Sequence, residues 1–240
     1  MARHTREHFV SMQDSCSYLP EQASRLEYEI APDLTTAEYA RRLLAGWRRF
    51  GNSLFRPQCL ACSACQSLRV DVARFRPNRS QKRNRARNAL DVQLEIGSPS
   101  FTHEKIELSY RFHGYQAGTR GWDEPVESDW ISYINSFLDN PIPTEEWRYE
   151  LDGKLVGVGY VDHLPGVGLS AIYFIHDPAH RARGLGVWNV LRLIEECGIR
   201  GLPHLYLGYL VEGCQSLEYK KNFVPSQILS QGSVWVDFRP

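Results

Sequence analysis

Trp147-Arg-Tyr-Glu-Leu-Asp-Gly-Lys-Leu-Val-Gly-Val-Gly-Tyr-Val161 decides how this chain folds. Both halves of the stretch are rich in aromatic and aliphatic residues, and they meet at Asp152-Gly153, a dipeptide suited to a tight hairpin turn. Two antiparallel strands are predicted, over residues 147–151 and 155–161. Working outward, Leu164-Pro-Gly166 turns the chain into a third strand at 169–175. Residues 184–197 read as a helix, because Val187, Val190, Leu191, Ile194 and Cys197 recur on one side. A strand at 204–210, a short helix at 212–221 and a strand region at 228–238 complete this half.

Upstream, residues 1–30 read as irregular, with Cys16-Ser-Tyr-Leu-Pro20 as a compact turn. Residues 37–49 read as a helix with Tyr39, Leu43, Leu44 and Trp47 on one face. Arg41, Arg42, Arg48 and Arg49 project elsewhere, and Gly51-Asn52 ends the element. A strand is predicted at 67–72. Two further helices follow: one capped by Thr102 and carrying Ile106, Tyr110 and His113, one capped by Ser128 and carrying Trp130, Tyr133, Ile134, Phe137 and Leu138. The chain is thus α+β, with an N-terminal cysteine-containing α/β region over residues 1–100 and a second region over 101–240. The succession of elements after Glu146 resembles the GNAT (acetyltransferase-like) half-sheet. In that fold a mixed sheet splays open and a helix begins against the ligand.

The 240 residues are 42% hydrophobic with twelve Tyr and six Trp, enough to bury a core. No apolar run approaches bilayer length, and the first residues lack the apolar core of a signal peptide. A soluble, cytoplasmic, monomeric protein is expected. The formal net charge is zero, yet residues 74–87 hold seven cations and no carboxylate. The rest of the chain therefore carries a net −7, and a polyanion is a natural partner for such a stripe.

Three constellations bear chemistry. Cys59-x2-Cys62-x2-Cys65, with Cys16 as a fourth thiol, offers a site for zinc or an iron–sulfur cluster; small buried residues at a tight turn are the plainer account. Arg76, Arg79, Lys82, Arg83, Arg85 and Arg87 are interleaved with Asn, Gln and Ser, a mixture that contacts phosphates and sugars of RNA, unless the run is only a solvated face. Arg181-Ala-Arg-Gly-Leu-Gly186 fits the phosphate-binding turn of coenzyme A-dependent acetyltransferases, or a glycine turn that starts a core helix.

Several short matches then add up along nearly the whole chain. They are Cys16-Ser-Tyr-Leu-Pro20, Gly46-Trp-Arg-Arg-Phe-Gly51, Phe55-Arg-Pro57, the cysteine cluster, Phe75-Arg-Pro-Asn-Arg-Ser-Gln81, Val161-Asp162, Ala171-Ile-Tyr-Phe174, Asp177-Pro178, Tyr206-Leu-Gly-Tyr209, Glu212-Gly-Cys214, Tyr219-Lys220 and Asn222-Phe223. Together they resemble the bacterial aspartate/glutamate leucyltransferases, relatives of the eukaryotic arginyl-tRNA–protein transferases. The resemblance implies a GNAT-like part that uses aminoacyl-tRNA as donor, a protein acceptor with an acidic N-terminus, and a product marked for the N-degron pathway. Residues 181–186 depart from the Ser-Leu-Gly turn of that pattern.

An aminoacyl ester is already activated, so no cofactor is required. The protein must orient the acceptor amine, accept its proton and stabilise an oxyanion. Asp162 and Glu212 are the candidate proton acceptors, and Tyr209 a candidate donor to the oxyanion or orienter of the ribose. The acceptor's carboxylate asks for a cation, from Arg48 and Arg49 or from Lys220 and Lys221, with Tyr206 nearby. Two rival classes stay open: a coenzyme A-dependent N-acetyltransferase and a non-catalytic RNA-binding protein with a metal knuckle.

Overall fold

The computed structural model describes residues 5–126, 129–230 and 234–239. The first elements among the described residues are β1 (Glu7–Val10), the small hairpin β2 (Asp14–Ser15) and β3 (Ala23–Ser24), and β4 (Leu26–Ile30). Helix α1 (Thr36–Leu44) follows, opened by a Thr35/Glu38 capping box. Then come β5 (Arg48–Phe50) and β6 (Ser53–Pro57), which with β1 and β4 form a four-stranded sheet in the order β1-β4-β6-β5.

The expected helix over 37–49 is therefore one element too long. Gly46, at φ +88°, takes a left-handed conformation that ends α1 and turns the chain into β5. Gly51-Asn52, expected as the helix stop, is the turn between β5 and β6. Arg48 and Arg49 consequently lie on a strand, where neighbouring side chains point to opposite faces.

Strand β7 (Gln66–Asp71) enters a second sheet, followed by α2 (Arg79–Asn88) and β8 (Val92–Gly97). Helix α3 (His103–Arg120) starts at Thr102, whose side chain accepts from the Lys105 amide as expected. Helix α4 (Trp130–Tyr133) runs into a wider π-helical turn at Ile134–Leu138. Its cap is Asp129; Ser128, the expected cap, lies outside the described residues. The remaining elements are β9 (Thr144–Leu151), β10 (Lys154–Leu164), β11 (Gly168–His176), α5 (Leu185–Ile199), β12 (His204–Leu210), α6 (Gln215–Glu218), β13 (Ser226–Leu229) and β14 (Trp235–Asp237).

The second sheet has eight strands in the order β14-β13-β7-β12-β11-β10-β9-β8. Strands β7 and β8, drawn from before residue 101, lie in it beside β9 to β14, so the sheet crosses the boundary expected at residue 100. Along β10, Val156 and Val161 belong to the core around α5, whereas Leu155, Val158 and Tyr160 belong to the core that includes α3 residues. A third core joins Tyr39, Leu43, Trp47 and Leu54 of the N-terminal part to Leu164 and Tyr206 of the large sheet. Among the described residues no helix is long and apolar enough to cross a membrane.

Antiparallel β9, β10 and β11, the crossover helix α5 and a parallel β12 make the GNAT-like arrangement. Parallel pairing between β11 and β12 covers only Gly168↔His204, Leu169↔Leu205 and Ser170↔Tyr206. From Ala171 onward the two strands part, and the sheet opens.

Candidate active site

What fills the opening is Arg48. Its Nη1 donates to Ser170 Oγ at 3.2 Å, and its Nη2 donates to the Ala171 carbonyl, the first one freed by the parting strands. On the β12 side the guanidinium lies against Gly208, which bulges at φ +78° opposite β7. A Cβ at residue 208 would sit 3.2 Å from Arg48 Nε. Glycine is therefore required both for the backbone conformation and for the close approach of the cation.

A second cation arrives from the turn after α6. Lys220 Nζ donates to the Tyr209 carbonyl at 2.8 Å. Arg48 and Lys220 are only 7% and 8% exposed, and among the described residues neither is ion-paired with a carboxylate. Burial first, and the charge of Arg48 second, push Lys220 down to about 7. Two buried like charges are held together here without a counterion, an arrangement that favours an incoming anion.

Arg49 has the opposite environment. Facing away from Arg48, it is 1% exposed and forks onto Asp162, with Nη2 2.5 Å from Oδ1 and Nε 3.2 Å from Oδ2. It also donates to the Gly51 carbonyl, to Asn140 Oδ1 at 2.8 Å and to Thr144 Oγ1 at 2.9 Å. Asp162 is 0% exposed, with Thr144 donating to it at 2.8 Å. No face of it is open to a substrate amine, so the expected role as proton acceptor does not fit.

Other expected residues sort on similar grounds. Tyr209 donates its hydroxyl proton to the Gly46 carbonyl at 3.0 Å, so it braces the turn before Arg48 and has no hydrogen left for an oxyanion. Glu212 is exposed in the tight turn Val211–Cys214, not on a helix, and does not line the cavity beside the cysteines. Lys221 pairs with Glu218 at 2.6 Å on the surface. Tyr206 is buried next to Trp235 and accepts from Arg69 at 3.2 Å.

Cys16, Cys59, Cys62 and Cys65 line one cavity of about 500 Å³ together with Tyr18 and Tyr209. Cys65 is pushed up to about 12, first by burial and then by the other thiols, so the cluster resists accumulating negative charge on its own. All four are free thiols, and among the described residues no three His, Cys, Asp or Glu side chains are placed to share one metal ion. Tyr18, which lines the same cavity, is also pushed up to about 12, first by burial, with Cys65 raising it and Arg48 opposing.

The basic run folds as α2, opened by an Asn78/Gln81 capping box. Its buried face is made of amides: Gln81, Asn84 and Asn88. Arg76, Arg79, Lys82, Arg83, Arg85 and Arg87 remain exposed, with Arg85 on Glu195 at 3.1 Å and Arg87 on the Arg183 carbonyl at 3.3 Å. Asn84 Nδ2 donates to the carbonyls of Arg183 and Gly184 at 2.9 and 3.1 Å. It thereby packs against Gly184 and braces the turn at residues 181–186 through its carbonyls. Arg183 is further committed to Asp91, at 2.8 and 2.7 Å.

The amide face of α2 is not among the expected site features, and Tyr18 and Tyr173, each inside a stretch that carries the family resemblance, are not among the expected site residues. The capping pair Asn78-x-x-Gln81 and the spacing of residues 81, 84 and 88 were the available signals for α2.

Comparison with known proteins gives sequence matches along nearly the whole chain. The family model "Arginine-tRNA-protein transferase, N terminus" matches residues 14–83, and its C-terminus counterpart matches residues 104–230. An aspartate/glutamate leucyltransferase of Pseudomonas fluorescens (strain Pf0-1) is 36% identical over 223 residues, 92% of either chain. One from Aeromonas salmonicida (strain A449) is 37% identical over 228 residues, 94% of this chain and 93% of that protein. Among solved structures, a ribosomal-protein-alanine N-acetyltransferase from Brucella melitensis biovar Abortus 2308 is similar over 55% of this chain and 86% of that one, at 16% identity and a TM-score of 0.36. Through both halves of its length, and through relatives that match almost end to end, this chain belongs to the arginine-tRNA-protein transferase family.

Proposed function

We propose that this chain, acting as a monomer in the cytoplasm, transfers leucine from leucyl-tRNA to the N-terminal amine of proteins that begin with Asp or Glu. The observation that carries the acceptor half is the meeting of Arg48 and Lys220 in the strand opening, uncompensated by any carboxylate of the described residues. The side chain of an N-terminal Asp or Glu supplies the missing anion. Arg48 offers the guanidinium fork and Lys220 a compact charge. Occupancy by a carboxylate favours the protonated form of Lys220, so acceptor and proton bind together.

The donor half draws on the names of the relatives and on the exposed cations of α2, which suit the phosphates of a tRNA. With the acidic side chain anchored, the acceptor's α-amine attacks the ester carbonyl of the leucyl group. A C–N bond forms, the ester C–O bond breaks, and the ribose oxygen leaves with a proton. The product carries an N-terminal leucine, a mark for degradation through the N-degron pathway. Were zinc or an iron–sulfur cluster to bind Cys16, Cys59, Cys62 and Cys65, it would brace the cavity wall; the thiols as placed do not converge on one ion, and no step of the transfer runs through such a group.

An arginyl donor is the second reading, favoured by the family's own description. The experiment offers labelled leucyl-tRNA, arginyl-tRNA or acetyl-coenzyme A with peptides beginning Asp, Glu, Asn or Ala. Label from leucyl-tRNA on Asp and Glu peptides alone is the expected result. Label only from arginyl-tRNA moves the assignment to the second reading, and label only from acetyl-coenzyme A overturns both.

A further inference from the structure

Past the opening, β11 carries a group that the transfer reaction has not yet used. Tyr173 lies two residues beyond Ala171, the residue whose carbonyl Arg48 holds. Its hydroxyl is 3.0 Å from Nε2 of His113 on α3. Nδ1 of the same ring is 2.8 Å from the Ser109 carbonyl oxygen. The Ser109 hydroxyl, 3.2 Å from Nδ1, can donate to it, but the shorter contact is to a carbonyl that only accepts; that contact sets a hydrogen on Nδ1, and in the neutral ring Nε2 is then the acceptor. Tyr173 must then donate its single proton to His113, leaving its oxygen lone pairs for another donor.

Both rings are fixed. They lie parallel within 4°, with Phe112 and Trp122 against His113 and Phe50 and Phe137 against Tyr173. Tyr173 nonetheless keeps part of its surface open. Phe50, two residues past Arg48 on β5 and so on the same face of that strand, packs edge-on against Tyr173 at 5.9 Å, which brings this pair beside the cation. Asp162 and Glu212, the carboxylates expected as bases, are respectively sealed in an ion pair and turned out to solvent. The proton of the attacking amine needs another destination.

We propose that Tyr173 is the catalytic residue that removes this proton, accepting it on its hydroxyl oxygen as its own proton passes to Nε2 of His113. Attack of the amine on the ester carbonyl gives a tetrahedral adduct with a protonated nitrogen. That nitrogen gives its proton to Tyr173, Tyr173 gives one to His113, and the adduct expels the ribose oxygen. The imidazolium formed is held through Nδ1–H on Ser109 and returns the proton from Nε2 to Tyr173, whose own hydroxyl proton passes to the departing oxygen. Every proton is accounted for within this pair and the substrates. Burial, with Tyr18 adding to it, holds the Tyr173 hydroxyl well above the ordinary tyrosine range. A free phenolate is therefore disfavoured, and a handover through His113 avoids forming one.

The proposal rests on the transfer reaction proposed above, and the test separates the two. Single-turnover transfer from leucyl-tRNA to an Asp peptide is measured at saturating peptide for the unaltered protein, Y173F and H113A. Y173F deletes one oxygen and keeps the ring packing, and thermal melting confirms that it folds. We expect the transfer rate to fall about 100-fold in each variant, with the acceptor KM little changed, and imidazole in solution to restore H113A roughly tenfold. Y173F transferring at the unaltered rate, a loss confined to KM, or H113A that imidazole leaves unrestored overturns the relay. If the unaltered protein itself transfers no leucine, it is the reaction assignment that fails.

Discussion

Arg48 and Arg49 are neighbours on one short strand, yet they end in opposite electrostatic settings. Arg49 is closed: its donors meet a buried carboxylate, a hydroxyl, an amide oxygen and a carbonyl. Arg48 is open: it meets a hydroxyl, a carbonyl and another cation, with its charge unanswered. Strand alternation produces the split, since one residue's shift along β5 moves a side chain to the other face. A satisfied buried charge holds the fold together, and an unsatisfied one at the mouth of a sheet opening waits for a ligand.

The closed member should be the costlier to break. Asp162→Asn or Arg49→Met leaves one charge buried without its partner, and stability should drop by about 3–5 kcal/mol in urea unfolding. A loss below about 1 kcal/mol would remove the contrast between the two arginines. Arg48→Met should behave in reverse. Its melting temperature should hold or rise, while kcat/KM for an acidic acceptor falls about 100-fold, the loss expected of one charge-assisted carboxylate contact of about 2.7 kcal/mol.

Lys220 sharpens the comparison through pH. Its folded value near 7 lies below the unfolded 10.5, so the unfolded chain binds the extra proton between those limits. Stability should therefore rise with pH over that window, the penalty being fully present below about 7. Lys220→Met should flatten this rise, as urea midpoints measured at pH 7 and pH 9 can show. An unchanged slope would mean that Lys220 is not held as the geometry implies.

The smallest effect belongs to α2. Lys82→Ala with Arg83→Ala should change stability by less than about 0.5 kcal/mol, because both side chains are exposed. The same pair should reduce the salt dependence of tRNA binding by about one unit of slope per lost phosphate contact. Unaltered salt dependence would place the tRNA elsewhere.

How much of this was legible beforehand follows from the range of each signal. The hairpin β9–β10, helix α5 and strand β12 were read nearly to their ends, since Asp152-Gly153 and the spacing of Val187 to Cys197 are local signals. The helix drawn through Arg49 failed because Tyr39, Leu43 and Trp47 keep helical spacing across Gly46. Over so few residues the helical and strand periods have not separated. Helix α2 hid its packing because its buried face is amide rather than apolar. The two arginines could be nominated, but only the fold assigned them. Asp162 and Ser170 lie more than a hundred residues away, and no spacing rule reaches that far.

The measurement that bears most directly on the central claim is acceptor discrimination. Leucine transfer to otherwise identical peptides beginning with Asp or Asn is compared in the unaltered protein and in Arg48→Met. If Arg48 answers the acceptor's carboxylate, the Asp-over-Asn preference in kcat/KM collapses toward unity in the variant, through loss on the Asp peptide alone. A preference that survives intact, with both peptides slowed equally, would contradict the account and return Arg48 to the fold.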